Sequence, residues 1–379
     1  MRCLHLCNDF QGSKVHQNLY CQLSALHISQ TVFYPDRKKQ PPTANFYPFK
    51  LIKSIRIPLL LRLFFRAKIQ LLYRDLTTRN SIEKFDFVHA TTLFSDGAIA
   101  LKLKTTRDIP YIVAVRSTDI NIFFRFRPDL HGLALKILKN ADAIIFLTPV
   151  LKKKTFRQRF LQNHLKEFES KSVIIPNGVE DYWLSDRYLN RSLSAKKVLY
   201  AGTFNKRKNA LSLIDAIVDI NNQGCQIELS LVGQKGSLSS KVKRRCNEYN
   251  FMNYLGMVND RNELKGLYRA HDIFVLPSWG ETFGLVYLEA LSQGMVVLHM
   301  KNEGIDGLIR NPYGPVISGK NSDQIKKALI EAIENYSSYN IPGIDLEPFS
   351  WKYIAKTYFD LYKNLINENP LHSSILQNS

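Results

Sequence analysis

Short apolar runs alternate with amphipathic stretches along nearly the whole chain, and this pattern restricts the sequence to an α/β architecture built from parallel strands. Strand-like runs occupy residues 4–7, 31–34, 85–89, 111–115, 143–148 and 173–176, and a second series occupies 198–202, 227–233, 273–277 and 296–300. Helical patterns fall between them, at 15–27, 210–221, 264–271 and 324–333. A strand, a helix and a further strand in repeated order predict parallel sheets wrapped by helices. The series restarts near residue 197, after a polar stretch at 181–195 that reads as a linker, and 379 residues suit two domains better than one. The expectation is two Rossmann-like domains facing a central cleft, at 1–180 and 196–345. A last helical pattern at 350–367 is expected to pack back on the N-terminal domain. Sheets of this kind bind ligands at the carboxyl ends of their strands.

Charge separates the two halves. Residues 1–180 carry 29 Lys and Arg against 13 Asp and Glu, whereas residues 181–379 carry 23 against 20. A basic half of this kind faces anionic lipid, nucleic acid or a phosphorylated ligand. One segment, 51–76, sets Lys53, Arg56, Arg62, Arg66, Lys68 and Arg74 among Leu, Ile and Phe. It reads as a basic amphipathic helix lying on an anionic membrane surface, the alternative being a buried helix with a solvated basic face. No uncharged apolar run approaches the roughly 18 residues of a membrane span. The five cysteines are scattered, without paired zinc spacing, and read as reduced thiols of a cytosolic protein. The N-terminus is too short and polar for a signal peptide. The expected location is cytoplasmic and peripheral, on the inner face of a bacterial plasma membrane.

The most informative string is LPSWGETFGLVYLEALSQG at 276–294. It reads as a strand end, a loop and a helix opening near Phe283, whose first amides, those of Phe283, Gly284 and Leu285, would favour a phosphate. Gly284 lets a ligand approach the backbone closely. Glu289 lies a turn further on, about 6 Å along the axis, where a carboxylate accepts ribose hydroxyl protons. Glu281 would face the sugar side of the phosphates; alternatively it only complements the helix macrodipole.

The pair Glu281 and Glu289, inside P-S-x-x-E-x-F-G-L-x-x-x-E-A-x-x-x-G, resembles the signature of retaining, GT-B-fold glycosyltransferases of family 4. Other strings agree in order. YAGTFNKRKN at 200–209 is similar to the loop whose basic residues hold the donor pyrophosphate, which places Gly202, Thr203, Arg207 and Lys208 in the donor site. IPNGV at 175–179 is similar to the segment closing the N-terminal domain. Gly233, and Gly256 to Val258 in LGMV, resemble the elements lining the nucleotide base. The resemblance covers most of residues 1–340. It implies a same-face mechanism with retention of anomeric configuration, in which the departing phosphate takes the acceptor's proton.

Arg207 and Lys208 also make chemical sense by themselves. Negative charge grows on the β-phosphate as the glycosidic bond breaks, and cations aimed there favour the transition state. The sequence has no Asp-x-Asp pair, so a metal-independent mechanism is expected, with no cofactor and the nucleotide-sugar as a substrate. On the acceptor side, FQGSK at 10–14 follows the first strand, where Gly12 brings backbone amides near the donor phosphates and Ser13 faces the acceptor. VRSTD at 115–119 follows a later strand. Relatives carry His-Gly-x-Asp at the comparable place, so Arg116 stands where that His would be, and Asp119 would orient a hydroxyl. His89 ends another strand and is either an acceptor contact or a satisfied core residue. His5, His16, Cys3 and Cys7 are assigned to packing.

The expected catalytic set is therefore Glu281, Arg207, Lys208 and Asp119, without a metal. The expected function is transfer of a sugar, most simply UDP-linked, to a lipid-linked or growing saccharide in bacterial surface-polysaccharide assembly. NEGIDG at 302–307 resembles transferases of such systems. A non-catalytic protein binding nucleic acid or membrane explains the charge but not the 276–294 string, and no nucleic-acid signature is evident, so nucleic acid is not expected as a partner. An epimerase or phosphorylase on the same fold is the third reading.

Overall fold

The computed structural model describes residues 1–36, 46–58, 61, 64–80 and 82–367. The chain divides into two compact units, one of Met1–Leu147, Leu151–Gly178 and the segment from Trp351, the other of Thr148–Val150 and Val179–Ser350.

The first unit holds a seven-stranded sheet in which every pairing is parallel. Its strands are β1 (Arg2–Leu6), β2 (Ser29–Asp36), β3 (Lys50–Arg56), β4 (Phe87–Ala90), β5 (Tyr111–Val115), β6 (Ala143–Phe146) and β7 (Ser172–Ile174), in the order β3-β2-β1-β4-β5-β6-β7. The central strands read FVHA, YIVAV and AIIF and are buried throughout, as strands covered on both faces must be. The second unit repeats the plan with β8 (Lys197–Ala201), β9 (Glu228–Val232), β10 (Met252–Gly256), β11 (Ile273–Leu276), β12 (Val296–Met300) and β13 (Val316–Ile317). Their order is β10-β9-β8-β11-β12-β13, again all parallel. Each sheet thus reverses its winding direction once, between β1 and β4 in the first and between β8 and β11 in the second. Such switch points open a crevice at the carboxyl ends of the two strands.

The C-terminal helix Trp351–Asn367 belongs to the first unit. Trp351, Ile354, Ala355, Tyr358, Tyr362 and Leu365 recur at helical spacing and are buried in one cluster with Leu19, Tyr20 and Leu23 of the helix Lys14–Ala25.

Two expectations are corrected here. Segment 51–76 is not one amphipathic helix. Its beginning lies in β3, an edge strand whose Lys50, Lys53 and Arg56 suit an edge that must not recruit further strands. Helix Phe65–Arg79 buries Phe65, Ile69, Leu72 and Leu76, so its apolar stripe faces protein, while Arg66, Arg74 and Arg79 are exposed and Lys68 donates to the Ser95 hydroxyl; Arg62 lies outside the described residues. Nor is 181–195 a free linker: Trp183 is buried against Tyr268, Gln293 donates to the Trp183 carbonyl, and Tyr188 N–H donates to Ser292 O. These contacts tie the stretch to the second unit. Among the described residues no helix is long and apolar enough to cross a membrane.

Candidate functional site

In the second unit the crevice at the switch point is built by the loops after β8 and β11. The strand ends beside it are drawn together by backbone hydrogen bonds: Gly202 N–H donates to Val232 O at 2.9 Å, and Gly233 N–H to Gly256 O at 2.6 Å. Gly233 has φ of +148°, and a Cβ there would lie 2.0 Å from the Gly202 carbonyl oxygen, so no larger residue permits this approach. The carboxyl ends of β8, β9 and β10 therefore present backbone, with Gly202 and Gly256 at the surface expected to receive the nucleotide. Val258 lies half-buried in the loop after β10.

The loop after β8 is fastened before it reaches the site. Phe204 is buried between Tyr200 and Tyr254, and the Asn205 side chain accepts from Lys208 N–H while donating to the Thr203 hydroxyl. This holds Lys206–Lys208 as one turn of 3₁₀ helix. The loop then joins the one after β11. Arg207 donates from its guanidinium to Gly280 O at 2.7 Å, and its carbonyl accepts from Trp279 N–H at 3.0 Å. Lys208 Nζ sits 2.5 Å from Glu281 Oε2, which also accepts from the Ser278 hydroxyl at 3.3 Å. Three of the four expected catalytic residues, Arg207, Lys208 and Glu281, are thus gathered in one place. Ser278 and Gly304 join them unforeseen. Gly304 N–H donates to Glu281 O, and a Cβ on Gly304 would crowd the Phe283 carbonyl at 2.9 Å. The 302–307 string carried that signal only as an isolated cluster of glycines.

The helix after β11 runs Leu285–Ser292, two residues later than the sequence suggested. Gly284 is its N-cap at φ +81°, Phe283 is 2% exposed and belongs to the core, and the opening amides are those of Leu285 and Val286. The shift follows from Gly284, since a left-handed residue cannot belong to a right-handed helix. A Cβ on Gly284 would also lie 2.4 Å from the Tyr287 ring. Gly284→Ala is expected to cost about 2 kcal/mol, from the left-handed backbone and the ring overlap together. Urea denaturation measures it.

Glu289 is one turn into this helix and half-buried. Tyr268 donates its hydroxyl to Oε2 at 3.4 Å. Desolvation pushes the Glu289 carboxyl up to about 7, with a further push from Glu180 and an opposing pull from Tyr268 and Arg261. Arg261 itself is held by Glu180 through a two-pronged pair.

The acceptor-side residues of the first unit lie at its own switch point, and their roles divide. Ser13 caps the helix Lys14–Ala25 by accepting from Val15 N–H, and Gly12 is exposed in the loop before it. Arg116 Nε donates to Thr91 O at 3.0 Å. Asp119 is 1% exposed and accepts from the backbone amides of Arg116, Leu93 and Phe94, so its oxygens hold two loops together and do not reach out to a hydroxyl. Burial pushes its carboxyl up to about 6 against those three hydrogen bonds. His89 is a correction to the expected acceptor set. It is 1% exposed, and Nδ1 shares a 2.8 Å hydrogen bond with the Tyr362 hydroxyl of the C-terminal helix, so it is a core residue. Burial lowers its pKa well below the usual value and keeps the ring neutral.

Comparison with known proteins agrees with this fold. Residues 183–343 match the family described as "Glycosyl transferases group 1", and residues 13–182 match "Glycosyltransferase Family 4". Among curated relatives, the alpha-monoglucosyldiacylglycerol synthase of Acholeplasma laidlawii is 24% identical over 351 residues, covering 85% of this chain and 83% of its own. Among solved structures, the lipopolysaccharide outer core galactosyltransferase WaaB superposes with a TM-score of 0.73 at 16% identity, covering 97% of this chain and 99% of its own. Anabaena HepE in complex with UDP gives 0.69 at 17%, covering 96% and 100%. Two family matches that between them run from residue 13 to residue 343, over two parallel Rossmann-like sheets with a crevice at each switch point, leave one assignment: the chain belongs to the GT-B glycosyltransferases of family 4.

Proposed function

We propose that this glycosyltransferase moves a sugar from a UDP-linked donor to a lipid-linked or growing saccharide, with retention of configuration and without a metal, in the assembly of a bacterial surface polysaccharide or glycolipid. The observation that carries the reading is the gathering of Arg207, Lys208 and Glu281 immediately before the helix that opens at Leu285. A diphosphate seated at that helix start meets two cations and free amides, and the ribose falls beside Glu289 one turn further on. As the bond from the anomeric carbon to the β-phosphate oxygen breaks, the charge left on that oxygen is met by Arg207 and Lys208 without a metal ion. The acceptor hydroxyl attacks the anomeric carbon on the face being vacated, and its proton passes to the departing phosphate. Glu281, held by Lys208 and Ser278, orients the sugar hydroxyls. Asp119 acts as a positioning residue through Arg116 and the 91–94 loop. That HepE is solved with UDP and that the Acholeplasma enzyme is named for a glucosyl lipid product support the donor and acceptor classes.

The test is a thermal-shift and calorimetry screen of the purified protein against UDP-, GDP-, ADP- and TDP-sugars, with and without EDTA. Saturable binding of UDP-sugars that is unchanged by EDTA supports the reading. Preference for another nucleotide overturns the donor assignment, and loss of binding in EDTA overturns metal independence.

A further inference from the structure

Most large apolar side chains of the first unit are internal, but Phe64, Ile122 and Phe126 are 62%, 51% and 63% exposed, as are Phe46, Ile55 and Ile174 elsewhere on the unit. Phe64, Ile122 and Phe126 belong to two segments that lie side by side. Phe65 meets Phe123 edge-on at 5.8 Å between ring centroids, Phe94 stacks on Phe123 at 4.5 Å, and the charge of Arg66 is felt at Asp129. Phe123 and Phe124 thus turn inward while Ile122 and Phe126 turn out. Three cations accompany the exposed residues: Arg66, Arg125, which lies 5.1 Å from the Phe126 ring centre, and Arg127, which neutralises Asp129 through a two-pronged pair. The segment is anchored at its root, because Asp119 ties it to Leu93 and Phe94 at the carboxyl end of β4.

We propose that this aromatic and basic patch, which takes only Phe64 and Arg66 from the start of the helix Phe65–Arg79, is the surface by which the first unit docks on an anionic lipid bilayer. Aromatic side chains with arginines beside them suit the boundary between headgroups and acyl chains, where the rings leave water and the guanidinium groups stay among phosphates. Charge complementarity favours lipid as the occupant, since residues 1–180 carry an excess of 16 positive charges. The patch stands at the same strand ends as Arg116. A saccharide anchored in that bilayer would therefore present its free end to the loops after β4 and β5, an inference that rests on the lipid-linked acceptor proposed above.

Co-sedimentation of the full-length protein with phosphatidylcholine vesicles, with and without phosphatidylglycerol, tests the proposal. The expected result is binding only when phosphatidylglycerol is present, weakened by salt, and reduced about tenfold or more in Phe64→Ser/Phe126→Ser. Arg66→Glu/Arg125→Glu should lose binding as well. Failure of the wild-type protein to sediment with anionic vesicles overturns the proposal, as does a Phe64→Ser/Phe126→Ser protein that sediments as well as wild type. Both substituted pairs are exposed, and far-ultraviolet circular dichroism with thermal unfolding of each full-length variant serves as the control for folding. Donor binding without vesicle binding rejects the patch alone, whereas vesicle binding without donor binding rejects the proposed donor reading and leaves the patch standing.

Discussion

Lys208→Ala is expected to lower kcat by roughly a hundredfold to a thousandfold, the range found when one preorganised donor is removed from a developing negative charge. Nucleotide binding should weaken less, because Arg207 and the amides of Leu285 and Val286 remain. The asymmetry arises because charge on the β-phosphate is greatest when the glycosidic bond is breaking, so a cation there contributes more to the transition state than to the bound substrate. A second effect adds to the first. Lys208 is paired with Glu281 at 2.5 Å, and in the proposed complex its loss leaves that carboxylate, still held by Ser278, facing the anionic diphosphate. Lys208→Ala/Glu281→Ala should therefore lose less than the product of the two single losses. Steady-state release of nucleoside diphosphate measures all of this. An unchanged kcat in Lys208→Ala would remove this residue from the chemistry.

Glu289→Gln should shift stability and donor affinity in opposite directions, with a pH dependence set by the carboxyl. Burial raises the Glu289 pKa from 4.5 to about 7 in the folded protein. Between those values the folded state binds more protons than the unfolded one, so stability is full below 4.5 and falls as pH rises through 7. Gln carries no such loss. The variant should be close to wild type at pH 4 and more stable at pH 8, by up to roughly 3 kcal/mol. Denaturant unfolding at the two pH values gives the comparison, and equal stability at pH 8 would show that the carboxylate bears no burial cost. In the proposed complex the ribose hydroxyls donate to the ionised form, so wild-type affinity for the donor should rise with pH through about 7, whereas Glu289→Gln should bind more weakly and without that slope. A group that costs the empty protein stability and serves only the complex is what a binding site retains against packing.

The sheet core was legible because a strand covered on both faces must be apolar along its length, as IFVL and YIVAV are. β3 was not legible, because an edge strand exposes one side and mixes Leu and Ile with Lys and Arg, which copies the composition of an amphipathic helix. The start of the helix at Leu285 was displaced by two residues for a local reason: Gly284 adopts φ of +81°, and sequence does not distinguish a glycine in that conformation from one inside a first turn. His89 shows the opposite limit. Its partner Tyr362 stands 273 residues away, so no local pattern could reveal that the imidazole is enclosed.

The alternation of strands and helices, the restart near residue 197, the uneven charge and the 276–294 string were determined by the sequence alone, because each is a property of neighbouring residues. What only the tertiary structure decided depends on groups that meet across the chain. Lys208 and Glu281 are 73 positions apart, and their ion pair exists because β8 and β11 are adjacent at the switch point of their sheet. The raised pKa of Glu289, the enclosure of Asp119 and the exposure of Phe64 and Phe126 are likewise consequences of what the fold brings against each side chain. Hydration and field at an atom are set by its surroundings in space, and sequence position alone does not supply them.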